Sequence, residues 1–244
     1  MPGLCDCLVT SAMSKLKEML AESLWIDALT ADERRRVEQE TVARAVPKGG
    51  FLCRRGEPAE YWIGVIAGLA TLTMANPAGK LLHAAVVPAM GWFGEGSLLK
   101  DELRRYDAVA IRDSLVAYMP RSTFRRLVDS NIGFVRFLLI QLNERLGQVI
   151  GIVESDRLLG PDERVAHCLA SMFNPTLYPG MPSVLQISQE EIGNLVGLSR
   201  QRVNRALRLL EDAGLLRVDY GGITVRDVGG LFRFKARAPL CNDE

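Results

Sequence analysis

The 244-residue chain has no long apolar run. Its longest weakly polar stretch, Tyr61 to Ala75, is too short for a bilayer-spanning helix and is broken by Gly64 and Gly68. The N-terminus lacks the basic, apolar and small-residue succession of a secretory leader, so a cytoplasmic protein without a membrane partner is expected. A dominant charge is also missing: 30 Lys and Arg stand against 29 Asp and Glu, a net charge of +1. That excludes a uniformly basic coat for nucleic acid and leaves room for a local basic element. Cysteine is sparse, with Cys5, Cys7, Cys53, Cys168 and Cys241 too scattered and odd in number for a disulfide framework. Cys5 and Cys7 read either as a metal or redox sensor or as reduced thiols at a frayed end; no further Cys or His pair has ligand spacing, so no metal site is expected. The two histidines, His83 and His167, have no neighbouring serine or cysteine motif, and the glycine turns lack phosphate-loop and dinucleotide fingerprints. An enzyme is not expected.

What is present is a folded composition, 48% apolar and 24% charged, in a length that suits one large domain or two ordinary ones. Residues 1–40 carry helical periodicity through Leu16, Met19, Leu20, Leu24, Ile26 and Leu29, followed by the charged run Asp32 to Arg36 on a solvated face. From Thr41 to about Pro120 the texture changes to short apolar or alternating segments. Gly49-Gly50, Gly56, Gly68, Asn76-Pro77, Gly79, Pro88, Gly91, Gly94 and Gly96 punctuate them, which predicts an antiparallel β-roll, barrel or sandwich. A helical period then returns. Val135, Leu139, Leu142, Leu146, Val149 and Val153 are spaced 4, 3, 4, 3 and 4, a coiled-coil seam that predicts a parallel homodimer helix. Phe137, Leu138, Ile140, Ile150 and Ile152 lie outside the stripe, so the β-domain is expected to cover one flank. Leu159-Gly160-Pro161 interrupts this helix as a candidate hinge, and Asp162-Glu163 favours a new helix start. "NPTLYPGMP" (174–182) reads as a loop, followed by a short strand at 184–187.

The next segment names a chemistry. Ser188-Gln189-Glu190-Glu191 is a capping box, so a helix starts there. Ile192, Leu195 and Val196 supply its apolar side, Gly197 a tight turn, and Ser199 caps a second helix from Arg200 to about Asp212: helix-turn-helix spacing. On that second helix Val203, Ala206, Leu207 and Leu210 face inward. Arg200, Gln201, Asn204, Arg205 and Arg208 share the other side, while Arg202 points elsewhere, toward phosphate or solvent. No acid occurs between Glu191 and Glu211, so four arginines stand without local neutralisation, as a phosphate-lined major groove requires. "LLRVDYGGITVRD" (215–227) adds a hairpin, making a winged helix.

Upstream, "GEGSLLKDELRRYD" (94–107) sets Gly94, Glu95, Gly96 and Ser97 ahead of Arg104 and Arg105. One carboxylate, two guanidinium groups and a glycine turn suit an anion beside a hydroxyl, such as a phosphorylated sugar; a surface loop of solvated charges fits the same residues.

Together these segments resemble the Crp/Fnr family of bacterial transcription regulators over nearly the whole length. "ISQEEIGNLVGLSRQRVNRALRLLEDAGLL" (187–216) matches the family's DNA-reading motif without gaps, and "VPKGGFLCRRGEPAEYWIGVIAGLATL" with "VVPAMGWFGEGSLL" is similar to its cyclic-nucleotide-binding β-roll. The resemblance implies an α+β fold: an effector-sensing β-roll domain with an N-terminal helix over 1–131, a dimerisation helix over 132–158, and a winged helix-turn-helix over 159–244. It implies a homodimer on a pseudo-palindromic double-stranded DNA operator, with RNA polymerase as a further partner. Arg200, Gln201 and Arg205 would read base edges, and a small effector would sit near Glu95 and Arg104.

In cyclic-AMP-responsive members the glutamate at Glu95 holds the ribose and the arginine at Arg104 the cyclic phosphate. Here Arg105 replaces a hydroxyl residue, and Val149 and Ile150 stand where two hydroxyl residues meet adenine. Cyclic AMP is therefore expected to bind weakly or in another pose. An unidentified small effector, a cyclic nucleotide or another anionic ligand, takes first place ahead of an empty roll acting as a scaffold. An iron–sulfur cluster or haem is not expected. A rival reading is a cyclic-nucleotide-binding module that controls a partner protein.

Overall fold

The structure is a computed structural model and describes residues 4–75 and 81–235; Asn76-Pro77 and Gly79 of the expected turn set, and Cys241, lie outside the described residues. The Cys5 and Cys7 side chains likewise lie outside what is described. The chain forms two compact units. One takes Met1–Arg145 with Asn174–Met181, the other Leu146–Phe173 with Pro182–Glu244.

In the first unit α1 (Leu4–Glu22) and α2 (Ala31–Glu40) precede the strands. Helix α2 starts at a capping box: Thr30 Oγ1 accepts from the Glu33 N–H at 3.3 Å, and Glu33 Oε2 accepts from the Thr30 N–H at 2.8 Å. The strands are β1 (Val42–Val46), β2 (Phe51–Cys53), β3 (Tyr61–Ala67), β4 (Leu69–Ala75), β5 (Leu81–Pro88) and β6 (Trp92–Phe93). After the short α3 (Glu95–Lys100) come β7 (Asp107–Ala110) and β8 (Ser114–Pro120), then α4 (Arg121–Ser130) and α5 (Ile132–Leu158), which passes into the second unit at Leu146.

The strands make two four-stranded antiparallel sheets, β1-β8-β3-β6 and β2-β7-β4-β5. Strands β3 and β4 turn across Gly68, whose φ of 102° and approach to Ser114 leave no room for a side chain: a Cβ would stand 2.2 Å from Ser114 Oγ. Between the sheets lie Leu52, Ile63, Val65, Leu72, Val87, Phe93 and Val116. Outside the first sheet, α1, α4 and the start of α5 bury all three tryptophans of the chain. Trp62 and Trp92 stack at 4.5 Å, with Trp25, Phe124 and Phe134 edge-on or tilted around them. That cluster holds the start of α5 through buried Phe134 and Leu138, with Phe137 packed beside them.

Apolar cover of α5 stops there, although buried Gln141 and then Arg145 still donate to the Trp92 carbonyl. Ile140, Ile150 and Ile152, expected under the β-domain, are exposed. Coverage ends because the tryptophan cluster reaches Phe134 and Leu138 and no apolar residue beyond them on the helix.

The second unit continues with α6 (Pro161–Ser171), β9 (Val184–Leu185), α7 (Gln189–Val196), α8 (Arg200–Asp212), β10 (Leu216–Asp219), β11 (Gly222–Val225) and α9 (Val228–Arg233). Its sheet runs β10-β11-β9, antiparallel throughout. Strand β9 is shorter than the 184–187 expected, since Gln186 and Ile187 pass straight into the Ser188 cap. Buried Val165, Leu169, Ile192, Val203, Leu207, Leu210, Leu216 and Ile223 form its interior. Among the described residues no helix is long and apolar enough to cross a membrane.

Candidate DNA-reading helix and sensor site

Helix α7 begins with the expected reciprocal cap: Ser188 Oγ accepts from the Glu191 N–H at 3.2 Å, and Glu191 Oε2 accepts from the Ser188 N–H at 2.7 Å. It ends at Gly197 in the left-handed region, φ 66°. The following turn is tight enough that a Cβ on Gly193 would stand 2.5 Å from the Leu198 carbonyl oxygen, so glycine is required there too. Ser199 then caps α8 by accepting from the Arg202 N–H at 3.3 Å.

Val203, Ala206, Leu207 and Leu210 bury one side of α8. Arg200, Gln201, Arg205 and Arg208 are exposed on the other and make no ion pair among the described residues. Asn204 is half-buried and donates to Gln189 Oε1 at 3.1 Å, which ties α8 to the first turn of α7. Arg202 departs from expectation. Its two terminal nitrogens grip both oxygens of Asp162, one pair at 2.8 Å, and the carboxylate holds the guanidinium above its ordinary pKa. It is a brace between α8 and the start of α6 rather than a group facing phosphate or solvent. Among the described residues three of these arginines, not four, stand without an ion pair, because the acid that neutralises Arg202 comes from outside the motif.

In the sensor, Gly94 sits at φ 91° and its Cβ would fall 2.3 Å from Arg104 Nη1. Only glycine lets that guanidinium close on the turn. Arg104 is buried, 3% exposed, and donates from Nη1 to the Gly94 carbonyl at 2.9 Å and from Nη2 to the Tyr61 carbonyl. Its backbone N–H and carbonyl are paired with Glu57 and Gly56.

Glu95 is 2% exposed and does not meet Arg104. Its Oε1 accepts from Arg145 Nε at 3.1 Å, and its Oε2 accepts from Trp62 Nε1 at 3.4 Å. Arg145 also donates to the Trp92 carbonyl. Burial alone would lower the Arg145 pKa, but the Glu95 carboxylate beside it keeps it above the ordinary guanidinium value. Burial pushes the neighbouring Tyr106 phenol well up, with the Glu95 charge adding to it, and pushes the Cys53 thiol up to about 11.

Ser97 is buried and its carbonyl accepts from the Glu102 N–H at 3.1 Å, while Gly96 is half-buried beside open space. Arg105 turns outward into a two-point pair with Glu102, at 2.9 and 2.7 Å, and holds that carboxyl down to about 2 with help from Lys100. Val149 and Ile150 stand exposed on the part of α5 that belongs to the second unit, whereas Glu95 and Arg104 lie within the first.

Along the α5 seam, Val135 and Leu142 are half-buried, and Leu139 (63% exposed), Leu146 (57%), Val149 and Val153 are open. Three residues that shape these sites carry weak signals in the sequence. Arg145 interrupts an apolar helix, Asp162 looks like an ordinary N-terminal acid, and Gln189 lies inside a capping box.

The comparisons agree with this geometry. Residues 43–131 match the family model for a cyclic nucleotide-binding domain, and residues 163–234 match that for a Crp-like helix-turn-helix domain. The chain is 30% identical to the cAMP-activated global transcriptional regulator CRP of Pasteurella multocida, over 70% of this chain and 83% of that protein. The chain belongs to the Crp/Fnr family of transcription regulators. This member is also 28% identical to the cyclic AMP receptor protein of Thermus thermophilus, over 75% of its own length and 83% of that relative. Among solved structures, FixK2 from Bradyrhizobium japonicum superposes with a TM-score of 0.67 at 23% identity, covering 81% of this chain and 98% of that one. Like its relatives, this Crp/Fnr member is a transcription regulator with a helix-turn-helix DNA-binding domain and an effector-binding domain of the cyclic-nucleotide type.

Proposed function

We propose that the protein works as a homodimer joined along α5, in which a small effector in the β-roll sets how the two α8 helices meet a pseudo-palindromic operator. The observation that carries the reading is the division of labour on α8. Arg200, Gln201 and Arg205 are exposed on one face with Arg208, while Arg202 and Asn204 are spent on holding the helix in place. Arginine can grip guanine O6 and N7 at two points and glutamine can pair with adenine, so Arg200, Gln201 and Arg205 read bases. Arg208, farther along the helix, meets phosphate with Ser199 at the helix start.

The exposed Leu139, Leu146, Val149 and Val153 support dimerisation. Each apolar side chain of this size contributes about 1.5–3 kcal/mol when fully buried, so a partner helix on this stripe is strongly favoured over water. Two α8 helices related by such an axis would enter major grooves about 34 Å apart. A cytoplasmic location and contact with RNA polymerase follow from the same reading.

The effector is a small anionic ligand rather than cyclic AMP in the pose of the cyclic-AMP regulators. Glu95 is already engaged by Arg145 and Trp62, so a ribose hydroxyl has only the remaining lone pairs of a buried carboxylate to meet. Val149 and Ile150 offer adenine no hydrogen bond, at a cost of about 1–3 kcal/mol per unmet polar group.

The test selects operator DNA from a random pool and measures binding by fluorescence anisotropy over a salt series. Wild-type protein should bind with a steep salt dependence, and Arg200→Ala and Arg205→Ala should each lose about 1–3 kcal/mol of discrimination at one base position. Unchanged DNA binding in both variants would overturn the reading. Titration calorimetry of cyclic AMP, with Arg104→Ala as control, checks the effector statement; tight, Arg104-dependent binding would reject it.

A further inference from the structure

The "NPTLYPGMP" stretch reads as a loop, yet it is built into the sensor core. The chain leaves α6 after Phe173, and Asn174–Met181 belongs to the first unit although the chain on both sides belongs to the second. Asn174 organises a compact turn. Its Oδ1 accepts from the Thr176 and Leu177 N–H groups, both at 2.9 Å, and its carbonyl accepts from the Tyr178 N–H at 2.9 Å. Its side-chain amide also donates to Glu144 Oε2 at 2.8 Å, pinning the turn to α5.

Leu177 and Tyr178 are 3% and 1% exposed and join the apolar residues between the two sheets, with Met181 packed against them. The Tyr178 hydroxyl donates to the Val86 carbonyl at 3.0 Å. Gly91 is closely approached on the same side: a Cβ there would stand 2.6 Å from Val87 Cγ1 and 3.0 Å from Tyr178 Cδ1. Arg145, which pairs with Glu95 at 3.1 Å, follows directly on Glu144, the acid that holds Asn174.

We propose that residues 174–181 are a latch: the link between α6 and β9 docks in the sensor core, its seating favours operator binding, and its release weakens it. This rests on the reading of the protein as a DNA-binding regulator. The physical reason is preorganisation. A link seated through Tyr178, Leu177 and Asn174 limits the conformations open to both chain ends it joins, whereas a released link must be reordered when DNA is bound.

The experiment uses the full-length protein as wild type, Tyr178→Ala and Asn174→Ala. Hydrogen exchange reads release of 174–181, tryptophan fluorescence reads the integrity of the sensor core, and anisotropy with the selected operator reads affinity. The expected result is faster exchange confined to this segment together with operator binding weaker by at least about fivefold. Faster exchange with a smaller loss, or with tighter binding, overturns the proposal; so does unchanged exchange in both variants, because the segment would then not be held by these contacts. If Tyr178→Ala fails to fold, Asn174→Ala carries the test, since it removes the turn's side-chain hydrogen bonds and leaves the core side chains in place. Wild-type protein that binds no DNA would defeat the reading of the winged helix, a separate failure.

Discussion

Arginine has opposite fates in the two units. In the sensor, Arg104 and Arg145 are turned inward, one satisfied by the carbonyls of Gly94 and Tyr61, the other by Glu95 and the Trp92 carbonyl. On α8, Arg200, Arg205 and Arg208 stand exposed without an ion pair among the described residues. A buried guanidinium must find oxygen acceptors within the fold, and once it has them it acts as structure. An exposed guanidinium keeps its hydration and its charge, which it can exchange for phosphate or guanine with little cost. Arg202 lies between these cases. It is on the candidate DNA-reading helix, yet Asp162 has enlisted it as a brace.

The contrast is most directly broken at Glu95. Glu95→Ala leaves Arg145 charged and largely buried without its acid, and should destabilise the sensor by about 3–5 kcal/mol in chemical denaturation followed by tryptophan fluorescence. A loss below about 1 kcal/mol would mean that Arg145 reaches water readily and that the inward set is less committed than its geometry indicates.

A smaller effect is expected at Asp162. Asp162→Ala should cost about 1 kcal/mol of stability, because the pair is only partly buried, and should free a fourth arginine on α8. The salt dependence of operator binding then distinguishes two outcomes: a slope steeper by about one counterion if Arg202 reaches phosphate, and an unchanged slope if it stays with the helix.

The smallest effect belongs to Arg105. Its partner Glu102 titrates at about 2 because Arg105 and then Lys100 hydrogen-bond to the carboxylate. A depressed carboxyl pKa adds stability that is fully present above the group's ordinary value of 4.5 and fades as pH falls toward 2. Arg105→Ala should move the Glu102 titration upward in an NMR pH series and leave operator affinity at neutral pH unchanged. A Glu102 titration that stays near 2 would show that Lys100 alone holds the carboxyl down.

Much of this was legible in the sequence, for a reason that differs by region. Ser188 with Glu191, and Ser199 with Arg202, act across three residues, so the helix pair and its turn are local facts that spacing reveals. The α5 stripe is also local, because its period follows from the helix itself. The β-roll was legible as turns and alternation, although the order β1-β8-β3-β6 was not, since strand partners are chosen by the closing of the core.

The sensor chemistry depended on pairs far apart in the chain. Glu95 and Arg145, Asp162 and Arg202, and Tyr178 and Val86 are partners that no window of sequence contains. "GEGSLLKDELRRYD" displayed an acid and two arginines together, but Glu95 and Arg104 were drawn to different acceptors and Arg105 to Glu102.

What the sequence by itself determined was the winged helix, the apolar stripe of α5 and the family, because caps, periodicity and short motifs are set by neighbours along the backbone. Which arginines are free to meet a ligand, and the seating of Tyr178 in the roll, were decided only by the tertiary structure. Burial leaves each charge or hydroxyl no option but the nearest acceptor, and which acceptor is nearest depends on how distant strands and helices close around it.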